Sequence, residues 1–234
     1  MIKPYKISEL VNNTFFKILF FSTIIVCTKW CISAIYYDEN INFKVFLDSE
    51  YDDYYYYPFI KYLSELNFNL SFDEEINNLR IIAIPFYTTI IHTLFFKLFG
   101  SWSILILQIL FFSFVIYFFY FYLIQIGINK NLAIILSFLL FLLPRFIELQ
   151  SLIDYIYLNN LSIYNLRFPN ALVTKFFLYF YIYLIIQFNL KYKNLSEFKT
   201  KDIITLSILF CFLLGSYYYF FLISTLSFLI FLIY

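Results

Sequence analysis

The chain has 234 residues, of which 63% are hydrophobic, 26% aromatic and only 13% charged. An ordinary soluble domain carries about 25% charged residues, so this composition excludes the soluble globular class. The 16 basic and 15 acidic residues leave a formal charge of +1, which gives no reason to expect a nucleic-acid partner. Apolar runs longer than the roughly 20 residues that span a bilayer instead predict an all-α, polytopic transmembrane helical bundle.

The first apolar run extends from about Phe15 to Tyr37, with lysines at positions 3 and 6 before it and at position 17 near its start. This charge order resembles a signal peptide, but the run is too long for one and lacks a small-residue cleavage site. We therefore expect an uncleaved signal anchor whose N-terminus is cytoplasmic.

Residues 38–79 are strongly acidic, with ten of the fifteen acidic residues and only Lys44 and Lys61 as basic ones. So few basic residues make a poor cytoplasmic loop, which places the segment on the outer side. Within it, Asp52 and Asp53 stand just outside the first span. Because neighbouring carboxylates repel each other, one of them can act as a general base, or the pair can hold a divalent cation. A plain solvated acidic loop is the alternative.

Hydropathy alone would make residues 79–100 a second span. Polar residues nevertheless recur there at helical spacing on one face, at Pro85, Thr88, Thr89, His92, Thr93 and Lys97. Such a stripe is typical of a helix lying in the membrane interface. If residues 79–100 do not cross, the lysine-rich loop 191–201 falls on the cytoplasmic side with the N-terminus, as the positive-inside rule prefers.

The later spans are predicted at residues 102–126, 131–144 and 171–190. An unbroken helix over residues 203–234 would be about 48 Å long. This exceeds the roughly 30 Å hydrocarbon core, so two helices broken near Gly215 are expected. Residues 1–234 then form a single transmembrane domain, and the apolar end of the chain suggests a protein truncated at its C-terminus. A first outer loop with a juxtamembrane helix occupies residues 38–101, and a second outer loop occupies residues 145–170.

The second outer loop carries Arg145 and Arg167, and Lys175 lies one turn into the next helix. Basic groups at the outer leaflet suit a lipid phosphate, which arginine can bind through two hydrogen bonds. The alternative is that these residues only end helices and contact headgroups.

Several features in chain order carry a resemblance to a known family. They are an acidic pair with a following tyrosine (Asp52-Asp53-x-x-Tyr56), the sequence Pro85-Phe86-Tyr87 leading into Leu94–Gly100, a short basic turn after the next span, and a span ending at Pro144. Across residues 15–234 this order resembles the N-terminal half of the GT-C-fold glycosyltransferases of the protein mannosyltransferase and aminoarabinose transferase type.

The resemblance implies transfer of a sugar from a polyprenyl-phosphate donor to a lipid, glycan or protein acceptor. The reaction would take place on the non-cytoplasmic face, with the bacterial inner membrane as the location. It implies a base, Asp52 or Asp53, and lipid-phosphate-binding residues, Arg145, Arg167 and Lys175. Further contacts are expected from Glu50, Tyr56, Arg80 and His92. A divalent cation, held by the acidic pair, is the one cofactor that the sequence suggests.

Two alternatives stay open. One is a transporter or flippase of a lipid-linked or anionic solute, and the other is a non-catalytic accessory membrane protein. An ion-coupled carrier needs charged groups within its spans. Apart from Lys17, at the start of the first span, and from Lys29 and Lys175, the predicted spans carry no charged residue, only scattered glutamines at positions 108, 125 and 187.

Cysteine labelling in intact cells tests the predicted topology. In a variant that lacks the three native cysteines, Leu70→Cys should react with a membrane-impermeant maleimide added outside. Leu195→Cys should react only after the membrane is permeabilised, because the lysine-rich loop is expected inside. Labelling of both positions from outside would contradict this topology.

Overall fold

The computed structural model describes residues 7–36, 60–66, 86–146, 170–192, 197–216 and 218–233. Within these ranges all regular secondary structure is helical, so the all-α class is confirmed. The helices are α1 (Ile7–Tyr36), α2 (Phe86–Phe99), α3 (Ser103–Gln125), α4 (Lys130–Phe146), α5 (Asn170–Lys191), α6 (Thr200–Ser216) and α7 (Tyr218–Ile233). A 3-10 turn, Gly100–Trp102, joins α2 to α3, and residues 60–64 form a short helical segment.

The helices follow the apolar runs of the sequence. α3 and α5 coincide with the expected segments 102–126 and 171–190, and α4 extends the expected segment 131–144 to Phe146. The break near Gly215 is confirmed, because the rings of Phe210 in α6 and Phe228 in α7 lie 5.7 Å apart, which one straight helix does not allow.

The turn between α3 and α4 shows how the sequence sets a helix end. Gly127 adopts a left-handed conformation, with φ of +93°, that disfavours a residue with a side chain. Its N–H bonds the carbonyl of Ile124, and the N–H of Ile128 reaches back to Leu123, which together satisfy the last carbonyls of α3. Asn129 then caps α4 by accepting the N–H of Leu132 at 2.9 Å. The short turn makes α3 and α4 an antiparallel pair.

α1 and α3 also run in opposite directions. Near the beginning of α1, the Phe15 ring lies 5.5 Å from that of Phe114, in the middle of α3. Near the end of α1, the indole N–H of Trp30 donates to the side-chain oxygen of Gln108, in the second turn of α3, at 2.7 Å. Both Trp30 and Gln108 are buried.

α5 runs parallel to α3. The ring centroids of Phe111 and Phe176 are 5.2 Å apart, and those of Phe121 and Tyr183 are 4.7 Å apart. The contacting residues therefore advance along both helices in the same direction.

α6 and α7 complete the bundle, and each runs antiparallel to the helix before it in the chain. α6 runs antiparallel to α5, because Phe177 stacks on Phe212 at 5.1 Å and Phe188 meets Phe198 at 5.3 Å. α7 runs antiparallel to α6, and the ring of Phe231 lies 6.3 Å from that of Phe198.

The bundle therefore has two ends with different helix termini. At one end, here called the Trp30 end, α1, α4 and α6 finish and α3, α5 and α7 begin. At the other, here called the Lys191 end, the opposite termini of the same six helices meet.

α3 is the central helix of the bundle. It contacts α1, α2, α4 and α5, and 14 of its 23 residues are buried. Leu107, Phe112, Val115 and Ile116 are almost completely buried. Because this helix is apolar all round, it offers a packing surface on every side, and four other helices contact it.

The outer helices present large apolar side chains to their surroundings. On α6, for example, only Leu206, Leu209, Leu213 and Ser216 are buried. Exposed positions include Phe16 and Phe20 of α1, Leu132 and Ile135 of α4, Ile204 and Ile208 of α6, and Leu226 and Ile230 of α7. Among the described residues, the segment Tyr87–Gln125 (α2, the 3-10 turn and α3) is long and apolar enough to cross a membrane.

An ion pair closes the turn between α5 and α6 at the Lys191 end. The Lys191 ammonium lies 3.1 Å from a carboxylate oxygen of Asp202, and the Tyr192 hydroxyl donates to the same oxygen. These hydrogen bonds, from Tyr192 and then from Lys191, lower the pKa of the Asp202 carboxyl. Hydrogen bonds with Tyr192 and Asp202 raise the pKa of Lys191. Because exposed pairs contribute little to stability, this contact links the end of α5 to the beginning of α6 but adds little to the stability of the bundle.

Replacing Gln108 tests how strongly the buried hydrogen bond to Trp30 holds α1 against α3. Gln108→Leu keeps a side chain of similar size but leaves the indole N–H without its acceptor, so we expect the free energy of unfolding to fall by about 1–3 kcal/mol. Thermal unfolding in detergent measures the change. Gln187→Leu, at a half-buried position of α5, is the control, and equal stability of the two variants would contradict the role of the bond.

Candidate functional site

Buried polar side chains are concentrated at the Trp30 end. Of the eleven found in the described part of the chain, seven lie in that half of the bundle: Thr88, Thr89, His92 and Thr93 on α2, Ser103 and Gln108 on α3, and Ser216 on α6. We call these seven residues the polar layer. Polar groups are costly inside an apolar bundle, so such a concentration marks a candidate site.

α2 stays within this half of the bundle. Gly100, with a φ of +58°, ends it and turns the chain into α3. At the other end of α2, the Tyr87 ring packs 4.8 Å from that of Phe212 and directly against Gly215, both near the end of α6. Both ends of α2 therefore lie near the Trp30 end.

Four residues of the polar stripe face the interior, Thr88, Thr89, His92 and Thr93, whereas Lys97 is exposed and Pro85 lies outside the described residues. Thr88 is 0% exposed and His92 4%, whereas Leu94 and Leu98 on the other face are 58% and 74% exposed. Thr88, Thr89, His92 and Thr93 share one face as predicted, but protein covers that face, so its interpretation as the exposed polar face of an interfacial helix is wrong for these four residues. Periodicity shows that a helix has two faces, and the contacts of α2 with α3 and α6 decide that the polar one is covered.

Two hydroxyls beside the Tyr87–Gly215 contact have no hydrogen-bond partner among the described residues. They belong to Thr88, which follows Tyr87, and to Ser216, which follows Gly215. Thr88 is 0% exposed and Ser216 3%, so both side chains are buried. Thr93 differs from them, because its hydroxyl donates to the Thr89 carbonyl at 2.8 Å.

Three of the residues expected in the site lie in described helices, all at the Trp30 end. Lys175 is half-buried in the second turn of α5, and His92 is buried in α2. Arg145 belongs to the last turn of α4. The remaining candidates lie outside the described residues: Glu50, Asp52, Asp53, Tyr56, Arg80 and Arg167.

Sequence reasoning missed the contact between Tyr87 and Gly215. A signal for it was present, because Gly215 is one of only three glycines in the chain. In the sequence this glycine indicates only a helix break. The missing side chain also lets an aromatic ring of α2 approach the backbone of α6, which no local pattern reveals.

Within the described ranges, no group of three or more His, Cys, Asp or Glu side chains is arranged to hold a metal ion. The polar layer offers hydroxyl, amide and imidazole groups. These can exchange hydrogen bonds with a ligand but supply no formal carboxylate or ammonium charge.

Comparison with known proteins does not assign the chain to a family. No protein-family model, no curated protein and no solved structure matches the chain. The structure itself defines an all-helical bundle with apolar outer faces and buried polar residues gathered at one end.

Gly215→Ala tests whether the close approach of Tyr87 matters for stability. A Cβ at position 215 would overlap the Tyr87 ring, so we expect a loss of about 1–3 kcal/mol, typical of overpacking. The thermal midpoint of unfolding measures it. The same substitution in a Tyr87→Ala background should cost much less, since the overlapping ring is gone. Equal costs in both backgrounds would show that the contact carries no energy.

Proposed function

We propose that the chain is a polytopic membrane protein whose outer helices face lipid. Its exposed faces on α1, α4, α6 and α7 are rich in leucine, isoleucine and phenylalanine, and its polar layer is buried. Soluble proteins rarely leave such large apolar areas uncovered. In a bilayer the same faces need no further covering, while polar side chains are satisfied only inside the protein.

The helix directions support the predicted topology. α1 ends and α3 begins at the Trp30 end, as do the end of α4 and the beginning of α5. The loops at 38–101 and 145–170 would therefore leave from one side. Exposed Lys191, Lys199 and Lys201 gather at the other end, and the positive-inside rule prefers that end in the cytoplasm.

On this basis the proposed activity is sugar transfer from a polyprenyl-phosphate donor at the outer, Trp30 end. The observation that carries the proposal is the gathering of the polar layer, Lys175 and the last turn of α4 with Arg145 at this same end. The reaction itself comes from the resemblance to the GT-C-fold glycosyltransferases.

The chemistry needs two kinds of group. A base takes the proton from the acceptor hydroxyl as the sugar is transferred, and Asp52 or Asp53 is proposed for that step. The leaving group is the polyprenyl phosphate, whose developing negative charge needs positive groups nearby. Arg145, Arg167 and Lys175 are proposed to provide them.

Asparagine substitutions at Asp52 and Asp53 test the catalytic proposal. Each keeps the size of the side chain but removes the carboxylate, and loss of a needed base should lower the transfer rate about 100-fold or more. Transfer is measured in membranes supplied with radiolabelled polyprenyl-phosphate mannose or polyprenyl-phosphate aminoarabinose, at matched protein levels.

Asp73→Asn, in the same acidic segment, is the control and should leave the rate unchanged. Full activity of both the Asp52 and the Asp53 variant would contradict the catalytic role. The acidic segment would then be a solvated loop, and the accessory-protein alternative would gain support.

A further inference from the structure

The corner between α2 and α3 presents an exposed apolar surface that contains one lysine. Leu94 and Leu98 of α2 are 58% and 74% exposed, and Lys97 is exposed beside them. Residues three and four apart are neighbours on a helix surface, so these three side chains share one side of α2. Phe99 and Trp102, 47% and 52% exposed, continue the surface around the corner. We call these five residues the corner surface.

The turn at Gly100 places a large aromatic side chain at the edge of the bundle. Gly100 ends α2 with a φ of +58°, and Trp102 closes the 3-10 turn before α3. The next residue, Ser103, is only 2% exposed. Trp102 therefore lies at the boundary between the buried beginning of α3 and the surroundings. An indole combines an apolar body with a polar N–H, and such side chains are enriched at the level of lipid headgroups.

Lys97 supplies the charge of the corner surface. Within the described ranges its ammonium pairs with no carboxylate. A lysine can lay its aliphatic stem along apolar neighbours such as Leu94 and Leu98 while its ammonium reaches a phosphate. Lysine is depleted from protein–protein interfaces, so a second protein matches this surface less well. The mixture of leucine, lysine and tryptophan fits the boundary of a lipid leaflet.

The position of the corner in the bundle agrees with a lipid boundary. α3 begins at the Trp30 end, where the outer helices α4 and α6 finish. Leu214, next to the Gly215 contact with Tyr87, is 52% exposed, so the apolar side of α6 reaches the beginning of α2. The corner surface therefore lies where the apolar sides of the bundle end.

We infer that the corner surface binds an anionic phospholipid at the Trp30 end of the bundle. Lys97 contacts the lipid phosphate, Trp102 lies at the level of the headgroups, and Leu94 and Leu98 face the nearest part of the acyl chains. The inference rests on the proposed function in one respect, because it takes the surroundings of the bundle to be lipid. It does not require sugar transfer, and none of these residues is assigned to the proposed reaction.

Tryptophan fluorescence of the full chain in phospholipid vesicles tests the depth of the corner. The chain has two tryptophans, and Trp30 is only 1% exposed, so quenchers carried by the lipid reach Trp102. The vesicles contain phosphatidylcholine brominated near the headgroup, midway along the acyl chain or near the chain end. Bromine near the headgroup should quench most, and Trp102→Phe should remove most of that quenching.

The same fluorescence tests the charge of Lys97. The apparent affinity for brominated phosphatidylglycerol should exceed that for brominated phosphatidylcholine roughly two- to fivefold, because a basic group at a membrane surface attracts anionic lipid. Lys97→Gln should abolish this preference, since glutamine keeps a polar side chain without the charge. Lys201→Gln removes an exposed lysine at the Lys191 end and is the matched control. It should keep the preference.

Ile208→Trp in the Trp102→Phe background separates this inference from the proposed function. Ile208 is 52% exposed and lies midway along α6, so the introduced indole should be quenched most by bromine near the chain end. Quenching at position 208 without quenching of Trp102 overturns the inference and leaves the proposed membrane bundle intact. Lack of quenching at both positions counts against the lipid-facing bundle as well. Equal affinities for the two lipids in the wild type, or an undiminished preference in Lys97→Gln, also overturns the inference.

Discussion

The covering of α3 is the constraint on which the rest of the bundle depends. This helix is apolar around its whole circumference and can be buried only if several others surround it. Each neighbour uses a different part of its surface: Trp30 of α1 bonds Gln108, and Phe176 of α5 packs on Phe111. The antiparallel course of α4 follows from the short turn at Gly127 and Asn129. The contacts with α3 therefore set both the direction and the position of α1, α4 and α5.

The covering of α3 also explains the unusual placement of α2. A helix with a polar and an apolar face would normally turn its polar face outward in water. Here the bundle is apolar outside, so the threonines and His92 of α2 lie against α3 and α6, while Leu94 and Leu98 face out. The result is a polar layer at one end of an otherwise apolar molecule. That separation of polar interior from apolar exterior is what makes a lipid-facing role physically reasonable.

The two ends of the bundle differ in chemistry as well as in helix termini. The Lys191 end has exposed lysines and an ion pair between Lys191 and Asp202 that closes a turn. The Trp30 end has the buried side chains of the polar layer. Lys175, in the second turn of α5, lies at the same end. A lipid-linked sugar also has two parts, a neutral sugar and a charged phosphate. In the proposed activity, Arg145, Arg167 and Lys175 bind the phosphate.

The sequence by itself determined the helical class, the approximate bounds of α3, α4 and α5, and the break between α6 and α7. These follow from local properties: the length of apolar runs, the turn residues Gly127 and Asn129, and a run too long for one crossing. Of the expected site residues, Lys175 and His92 lie on helices as the sequence predicts. That both lie at the Trp30 end of the bundle depends on the directions of the helices, which the sequence does not give. Only the tertiary structure decided that the polar stripe of α2 is buried and that Tyr87 rests on Gly215. Residues 87 and 215 are far apart in the chain, and periodicity identifies a helix face without specifying what will cover it.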